Sequence, residues 1–363
     1  MNSLLAINII QIKKTINKYI MKFNKFLTAV FASVVLVVAS CNDDDFDLDN
    51  QEKSYSGILV SNEGNFGTPS GEVSFMPADI STIENDIYKK VNNTALGDVV
   101  NNIGFSGDQA YIIVNNSNKI EVVNRFRFTK TATITDNVKQ PRYVTFANNN
   151  FYVTNSTYLG EQYVAIYNAA NNSFIKKVPF TDTVERIVSA GNKVFVQHAS
   201  YGFGNTISVI NNTNEVEKTI TLPHGQISKT VASNNFVYTL TQDGTDTYLY
   251  QINAAGNIAK ETKYAGIANG ENLSVENNQV VFNSKGNVYV TTVSSPATPA
   301  PAFTIAPFAD FSTIYALEIL NGKIFISDAK DYQEASKVSV YSLSGALQKS
   351  FTAGIIAGGF YKN

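Results

Sequence analysis

From Ser56 onward, apolar residues gather in short runs rich in Val, Ile, Tyr and Phe, each bounded by Asn, Gly, Asp or Ser. That is the pattern of half-buried strands between tight turns. The runs recur. "SGDQAYIIV" from Ser106, "ANNNFYVTN" from Ala147, "AGNKVFVQH" from Ala190, "SNNFVYTLT" from Ser233, "ENNQVVFNS" from Glu276 and "LNGKIFISD" from Leu320 begin 41, 43, 43, 43 and 44 residues apart. Each carries a two-residue Gly-Asp, Asn-Asn, Gly-Asn or Asn-Gly step, the chemistry that tolerates positive φ and closes a β-hairpin. Just after the turn, Tyr111, Tyr152, Phe195, Tyr238, Val281 and Phe325 fall in one column.

A strand precedes each turn: "NNIGF", "RYVTF", "ERIVS", "SKTVA", "ENLSV" and "YALEI", with "GGFYKN" (Gly358 to Asn363) as a seventh at the end of the chain. A third strand follows each hairpin ("KIEVVN", "YVAIYN", "TISVIN", "YLYQIN", "NVYVTT", "KVSVYS"), and then a fourth, as in "SFIKKVPF" or "VEKTITL". Four strands per period of about 43 residues fit a propeller blade, and residues 57–363 hold about seven periods. The beginning, "SGILVSN" and "GEVSFMP", lacks a leading strand, whereas the end supplies a lone one. The predicted fold is therefore an all-β, seven-bladed β-propeller of four-stranded blades, its ring closed by pairing the C-terminal strand with the first blade. Closure removes the exposed edges of an open array. The first unit is longer because Asn62–Gly71 and Ile87–Val99 read as insertions.

The first forty residues follow other rules. "FLTAVFASVVLVVA" (Phe26 to Ala39) is a continuous apolar run behind Lys22 and Lys25, as in a secretory signal, and is short for a membrane span. Met21 opens the charged segment "MKFNK", so residues 1–20 read as an over-called start and 21–40 as the signal peptide. "VVASC" ends on Cys41, the only cysteine, placed where a lipoprotein signal puts the thiol that takes a diacylglycerol. Residues 41–54, which include "CNDDDFDLDNQEK", make an acidic tether too polar to pack, and 55–363 form the propeller. Loss of residues 1–40 removes five lysines and no acids, leaving 23 basic against 30 acidic residues, a balance that argues against nucleic acid as a partner.

The "YVTN" run and its variants resemble the YVTN-type repeats of seven-bladed β-propellers over the whole chain after the tether. "LVSNEGNFG" (Leu59 to Gly67), "LGDVVNNIGFSGDQAYIIVNNSNKIEVVN" (Leu96 to Asn124) and "QPRYVTF" (Gln140 to Phe146) are similar to the outer-surface propeller lipoproteins of Bacteroidota. Some of these capture cobalamin and pass it to a TonB-dependent outer-membrane transporter. The resemblance implies a lipid anchor as the only membrane attachment and a position on the outer membrane, exposed at the cell surface. It also makes cobalamin a possible ligand, with no cofactor required, and a TonB-dependent transporter a possible partner.

Residues for chemistry are scarce. The chain has two histidines, His198 and His224, and no H-E-x-x-H, C-x-x-C, P-loop or G-x-S-x-G pattern, so catalytic and metal residues are expected to be none. "DGTDT" (Asp243 to Thr247) lacks the oxygen spacing of a calcium loop and reads as a turn. Binding has more to work with. The second-to-third loops of the blades share one face with the blade connections, and they vary widely in length, while the opposite hairpins stay at two residues. On that face Phe66, Tyr158, Tyr201, Phe203 and Tyr332 offer flat apolar area, and Asn62, Glu63, Asn65, Asn116, Asn155, Gln242 and Asp328 offer donors and acceptors. His198 is a candidate ligand or a structural hydrogen-bonder. Arg142 and Arg186, read as equivalent positions near the starts of successive inner strands, either meet a ligand or bond blade-connecting carbonyls.

Three functions follow from this reading. The first is a non-catalytic surface lipoprotein that captures a bulky, cobalamin-like ligand on its loop face and hands it to a transporter. The second is an envelope scaffold whose loops grip a protein or glycan. The third, ranked last, is a metal-assisted propeller hydrolase of lactonase type.

Overall fold

The computed structural model describes residues 53–363. The signal peptide, Cys41 and nearly all of the tether lie outside the described residues.

Among the described residues, twenty-seven strands make seven sheets. Six are antiparallel meanders of four consecutive strands: β3–β6 (100–134), β7–β10 (141–180), β11–β14 (187–221), β15–β18 (226–264), β19–β22 (271–304) and β23–β26 (316–355). The seventh joins the two ends of the described chain. In it β1 (Gly57–Asn62) lies between β2 (Glu72–Pro77) and the last strand, β27 (Ala357–Lys362). Ile58 pairs with Lys362 and Val60 with Phe360, so the expected closure is present. The first strands of successive sheets lie side by side around an axis, β3 by β7 through β23 by β27, and β27 returns to β3.

The closing blade departs from the four-strand expectation. Its outermost strand is reduced to one bridge, in which Phe75 and Glu84 each donate an N–H to the other's carbonyl at 2.8 Å. The segment between them turns at Asp79, whose carboxylate accepts from Ser81 N, and passes through Ile80 at φ 54°, which prevents a continuous ladder. After the bridge the chain forms a short helix, Ile87–Asn92, which buries Ile87 and Tyr88 against β2 and neighbouring strands.

The hairpin turns have the predicted backbone. Asn148 and Asn149, and likewise Asn277 and Asn278, all adopt positive φ, as a type I′ turn requires. The aromatic column wedges blades apart at the correct spacing. Tyr111 and Tyr152 are fully buried, and each hydroxyl donates to an asparagine of the following blade, Asn172 at 3.0 Å and Asn214 at 2.7 Å. Each ring removes apolar area worth about 1.5–3 kcal/mol from water, and the hydroxyl keeps its hydrogen bond.

Closure should be measurable. Phe360 packs with Ile58, Val60 and Phe325 across the seam. Phe360→Ala is expected to lower stability in urea by about 3–5 kcal/mol; a loss no larger than that of a surface substitution would show that the seam does not hold the ring.

A second expectation concerns pH. Glu72 is buried, with its carboxylate on Lys89 N at 3.1 Å, and burial pushes its carboxyl up to about 8. The folded protein keeps this proton to about pH 8, while an unfolded chain releases it near 4.3. The Glu72 contribution to stability is therefore greatest at low pH and declines as pH rises between those values, by up to about 1.4 kcal/mol per unit. Glu72→Gln is expected to flatten this slope, as read by denaturation at pH 5 and pH 8; an unchanged slope would place the proton elsewhere.

Candidate functional site: a loop face above a polar channel

The final residue of the FYVTN-type run is a clamp. In four successive blades Asn155, His198, Thr241 and Ser284 occupy one register position, and each bonds the backbone of the connection entering its own blade. Asn155 Oδ1 accepts from Lys139 N at 2.9 Å, and Thr241 Oγ1 donates to His224 O at 2.8 Å. Ser284 Oγ donates to Ala268 O. His198 Nδ1 is 3.0 Å from Thr183 O, so the proton sits on Nδ1, while Nε2 accepts from Ser208 Oγ at 2.8 Å. Burial holds the His198 imidazole below its ordinary value, opposed by the Thr183 carbonyl. Two of the buried candidates, Asn155 and His198, are thus committed to the scaffold.

Other polar candidates are similarly engaged. Asn62 is buried, donates to Ser74 Oγ at 2.9 Å and accepts from Gly354 N at 3.1 Å. Asn116 donates to Asp98, Gln242 Oε1 accepts from Gly244 N at 3.0 Å, and Asp328 Oδ1 accepts from Lys330 N at 2.9 Å. Asn65 differs: its backbone N–H donates to Ser70 Oγ at 2.8 Å, while its side-chain Oδ1 is buried without a hydrogen-bond partner among the described residues. Asp243 caps its own turn through Thr245 N and Asp246 N.

The aromatic candidates divide. Phe66, Tyr158, Tyr201 and Phe203 are 78%, 87%, 93% and 78% exposed, and Phe311, from a blade connection, is 64% exposed. Tyr332 instead lies between Phe311 and Tyr315, with ring centroids 5.7 and 5.9 Å away, and burial pushes its phenol up to about 12. Strand order puts all six on the face where second strands end and first strands begin.

At the centre of that face lies the mouth of the axial channel. The Glu63 carboxylate accepts from Tyr315 Oη at 2.8 Å, and Arg142 grips Glu185 through Nε at 3.0 Å and Nη2 at 2.7 Å. Burial holds the Glu63 carboxyl above the usual carboxylate range, with the Tyr315 hydroxyl and the Arg142 charge drawing it back. The expected equivalence of Arg142 and Arg186 is corrected by one residue. Counting back from the turns, Arg142 matches Glu185, and Arg186 matches Tyr143. A one-residue offset sends neighbouring side chains to opposite sides of a strand. Arg142 therefore pairs with Glu185, while Arg186 enters the channel and stacks on Tyr143 at 4.5 Å. Among the described residues, neither arginine side chain bonds a blade-connecting carbonyl.

Below the mouth the channel is lined by Asn102, Tyr143, Arg186, Lys229, Glu318 and Tyr361, of which only Arg186 was singled out from sequence. The missed signal is periodic: 102, 143, 186, 229 and 272 all stand five residues before a hairpin turn. Among the described residues, no group of three or more His, Cys, Asp or Glu side chains is placed to hold a metal ion, and no helix is long and apolar enough to cross a membrane.

These features define a seven-bladed β-propeller with an aromatic loop face and a polar axial channel. Residues 56–317 match the family described as "Domain of unknown function (DUF5074)", and the chain belongs to that family. No curated protein matches it. Among solved structures it is similar to a quinonprotein alcohol dehydrogenase-like protein from Bacteroides thetaiotaomicron VPI-5482, at 14% identity and TM-score 0.65, over 85% of this chain and 79% of that one. It is also similar to a functionally unknown protein from Desulfotomaculum acetoxidans DSM 771, at 14% identity and TM-score 0.59, over 84% and 98%. The computationally designed Ika8 protein matches at 13% identity and TM-score 0.55, over 86% and 96%. At such identities the likeness establishes the fold alone.

Tyr315→Phe removes the hydroxyl that supports Glu63 and should cost about 1–3 kcal/mol. Because that hydroxyl draws the buried Glu63 carboxyl down, it favours the charged form, so the cost should be larger at pH 8 than at pH 4. Equal losses in urea denaturation at both pH values would contradict this.

Proposed function

We propose that this chain is a non-catalytic capture protein whose loop face binds a bulky, partly flat ligand, a cobalamin-like cofactor being the first candidate. In this reading Cys41 carries a lipid, the acidic tether holds the propeller off the outer membrane at the cell surface, and a TonB-dependent transporter receives the ligand.

One observation carries the reading. Among the described residues every exposed aromatic side chain, Phe66, Tyr158, Tyr201, Phe203 and Phe311, stands on the loop face, and none on the hairpin face. Single exposed aromatics are ordinary on a protein surface, but their collection on one face favours a binding surface. The fixed backbone beneath them supports it, because the Asn155, His198, Thr241 and Ser284 clamps hold the loop bases and leave the aromatic tips free. A large ligand with apolar planes and peripheral amides matches aromatic platforms next to the half-buried Glu63 and Arg142 at the mouth.

The test is calorimetric titration of residues 54–363 with cobalamins. Saturable binding without turnover is expected, and Tyr201→Ala should weaken it about tenfold, the equivalent of about 1.4 kcal/mol of lost contact. Absence of binding at micromolar concentrations removes the cobalamin assignment; binding untouched by Tyr201→Ala and Phe203→Ala moves the site off the loop face.

A further inference from the structure

The axial channel holds chemistry that the loop face does not use. Five successive blades place a hydrogen-bonding side chain at the same inner-strand position, Asn102, Tyr143, Arg186, Lys229 and Asn272, and the other two place Ala316 and Gly359 there. The result is asymmetric, with polar side chains around most of the wall and small residues at the remainder, where the Tyr361 ring lies against Gly359. Two connected hollows of about 70 and 300 Å³ share Asn102, Tyr143, Arg186, Lys229, Glu318 and Tyr361. The smaller reaches Tyr315 and Gly358 at the loop-face end, and the larger follows Val188, Ser189, Val231 and Ala232 toward the hairpin face. A volume near 300 Å³ is at the lower end of ligand pockets.

Three cations and three carboxylates line the channel and its mouth, but they pair unevenly. Lys229, only 4% exposed, is held by Glu318 at 2.6 Å, and the other Glu318 oxygen takes a hydrogen bond from Ser274 Oγ at 2.6 Å. Glu185 is occupied by Arg142, and Glu63 by Tyr315. That leaves Arg186, whose guanidinium rests on the Tyr143 ring and has no carboxylate or carbonyl partner among the described residues. The Tyr143 hydroxyl likewise makes no hydrogen bond to a described residue. A half-buried guanidinium with its donors unused is costly unless an acceptor arrives.

We propose that the channel is a binding site for a small organic oxyanion, bearing a carboxylate or phosphate, seated on Arg186 with Lys229 and the Tyr143 hydroxyl beside it and admitted from the hairpin face. The planar fork of arginine matches two oxygens of either group, and the walls shield the pair from salt. The larger hollow, along Val188, Ser189, Val231 and Ala232, supplies the space in which the rest of the ligand lies. This site is separate from the loop face and stands whether or not that face takes a cobalamin.

Residues 54–363 would be titrated calorimetrically at low ionic strength with succinate, with inorganic phosphate and, as an uncharged counterpart, with succinamide. One-to-one binding of an anion is expected, with succinamide about tenfold weaker or worse; the stronger of succinate and phosphate identifies the group. Arg186→Gln should weaken the anion about tenfold or more, and Glu318→Gln, which releases Lys229, should tighten it severalfold. Arg186→Lys keeps the charge without the fork and should fall between, which retains a readout if the glutamine variant does not fold. Tyr201→Ala on the loop face should leave anion affinity unchanged. Failure of both anions to saturate below about 10 mM, equal binding of succinamide, or unaltered affinity in Arg186→Gln or Arg186→Lys would overturn the proposal.

Discussion

The ladder between β1 and β27 is the interaction on which the rest of this molecule depends. It joins residues about 300 positions apart, from Ile58 with Lys362 to Asn62 with Ala357. Closing so long a loop is less prohibitive than its length suggests, because the entropic cost grows only with the logarithm of the number of residues. The terminal residue adds to the seam. Asn363 donates to Tyr55 O and Arg125 O, both at 2.7 Å, and accepts from Arg125 Nε at 2.7 Å, which ties the last strand to the second blade as well as to the first. Without closure, neither the Glu63–Tyr315 contact between the first strand and the last blade nor the channel wall from Gly358 to Tyr361 could form.

Much of this architecture was legible because its determinants are periodic and local. The Asn-Asn and Asn-Gly steps report the turns, since few residues accept positive φ, and the Tyr/Phe column reports burial at a fixed distance after each turn. Outside the repeat the text became hard to read. The outer strand of the closing blade shrank to Phe75 and Glu84 because Ile80 and the Asp79 turn break its extended path, and no periodic signal marks that loss.

The site was less legible for a different reason. A loop residue's type does not say whether its side chain faces solvent or its own backbone. Tyr158 and Tyr201 are exposed, whereas Asn62, Asn155 and His198 from comparable loop ends are buried in hydrogen bonds. The clamp column was present in the repeat all along, as the Asn of FYVTN, the His of VFVQH, the Thr of VYTLT and the Ser of VVFNS. Reading it requires knowing that amide, imidazole and hydroxyl are alternative ways to bond one passing segment of backbone. Arg142 and Arg186 show how sharp the limit is, because an offset of one residue separates an ion pair at the mouth from an arginine inside the channel.

The channel presents a conflict between stability and chemistry. An axis filled with apolar side chains would avoid the desolvation that burial imposes on Lys229, whose amine is held below the ordinary lysine range by burial, with Glu318 opposing and Arg186 adding to the depression. Two cations near one carboxylate is an expensive arrangement for a scaffold that already closes through its blades. Local rules broken without a stabilising return are where function is most reasonably sought. At the loop face, by contrast, the clamps are satisfied and the exposed rings sit on fixed bases, and the buried atoms without a partner there, Asn65 Oδ1, Asp98 Oδ1, Thr157 Oγ1 and the Tyr332 hydroxyl, are uncharged or belong to an otherwise bonded carboxylate. The two ends of the propeller therefore pose different physical questions, one about apolar area left uncovered and the other about positive charge left unpaired, and a single ligand at the loop face would answer only the first.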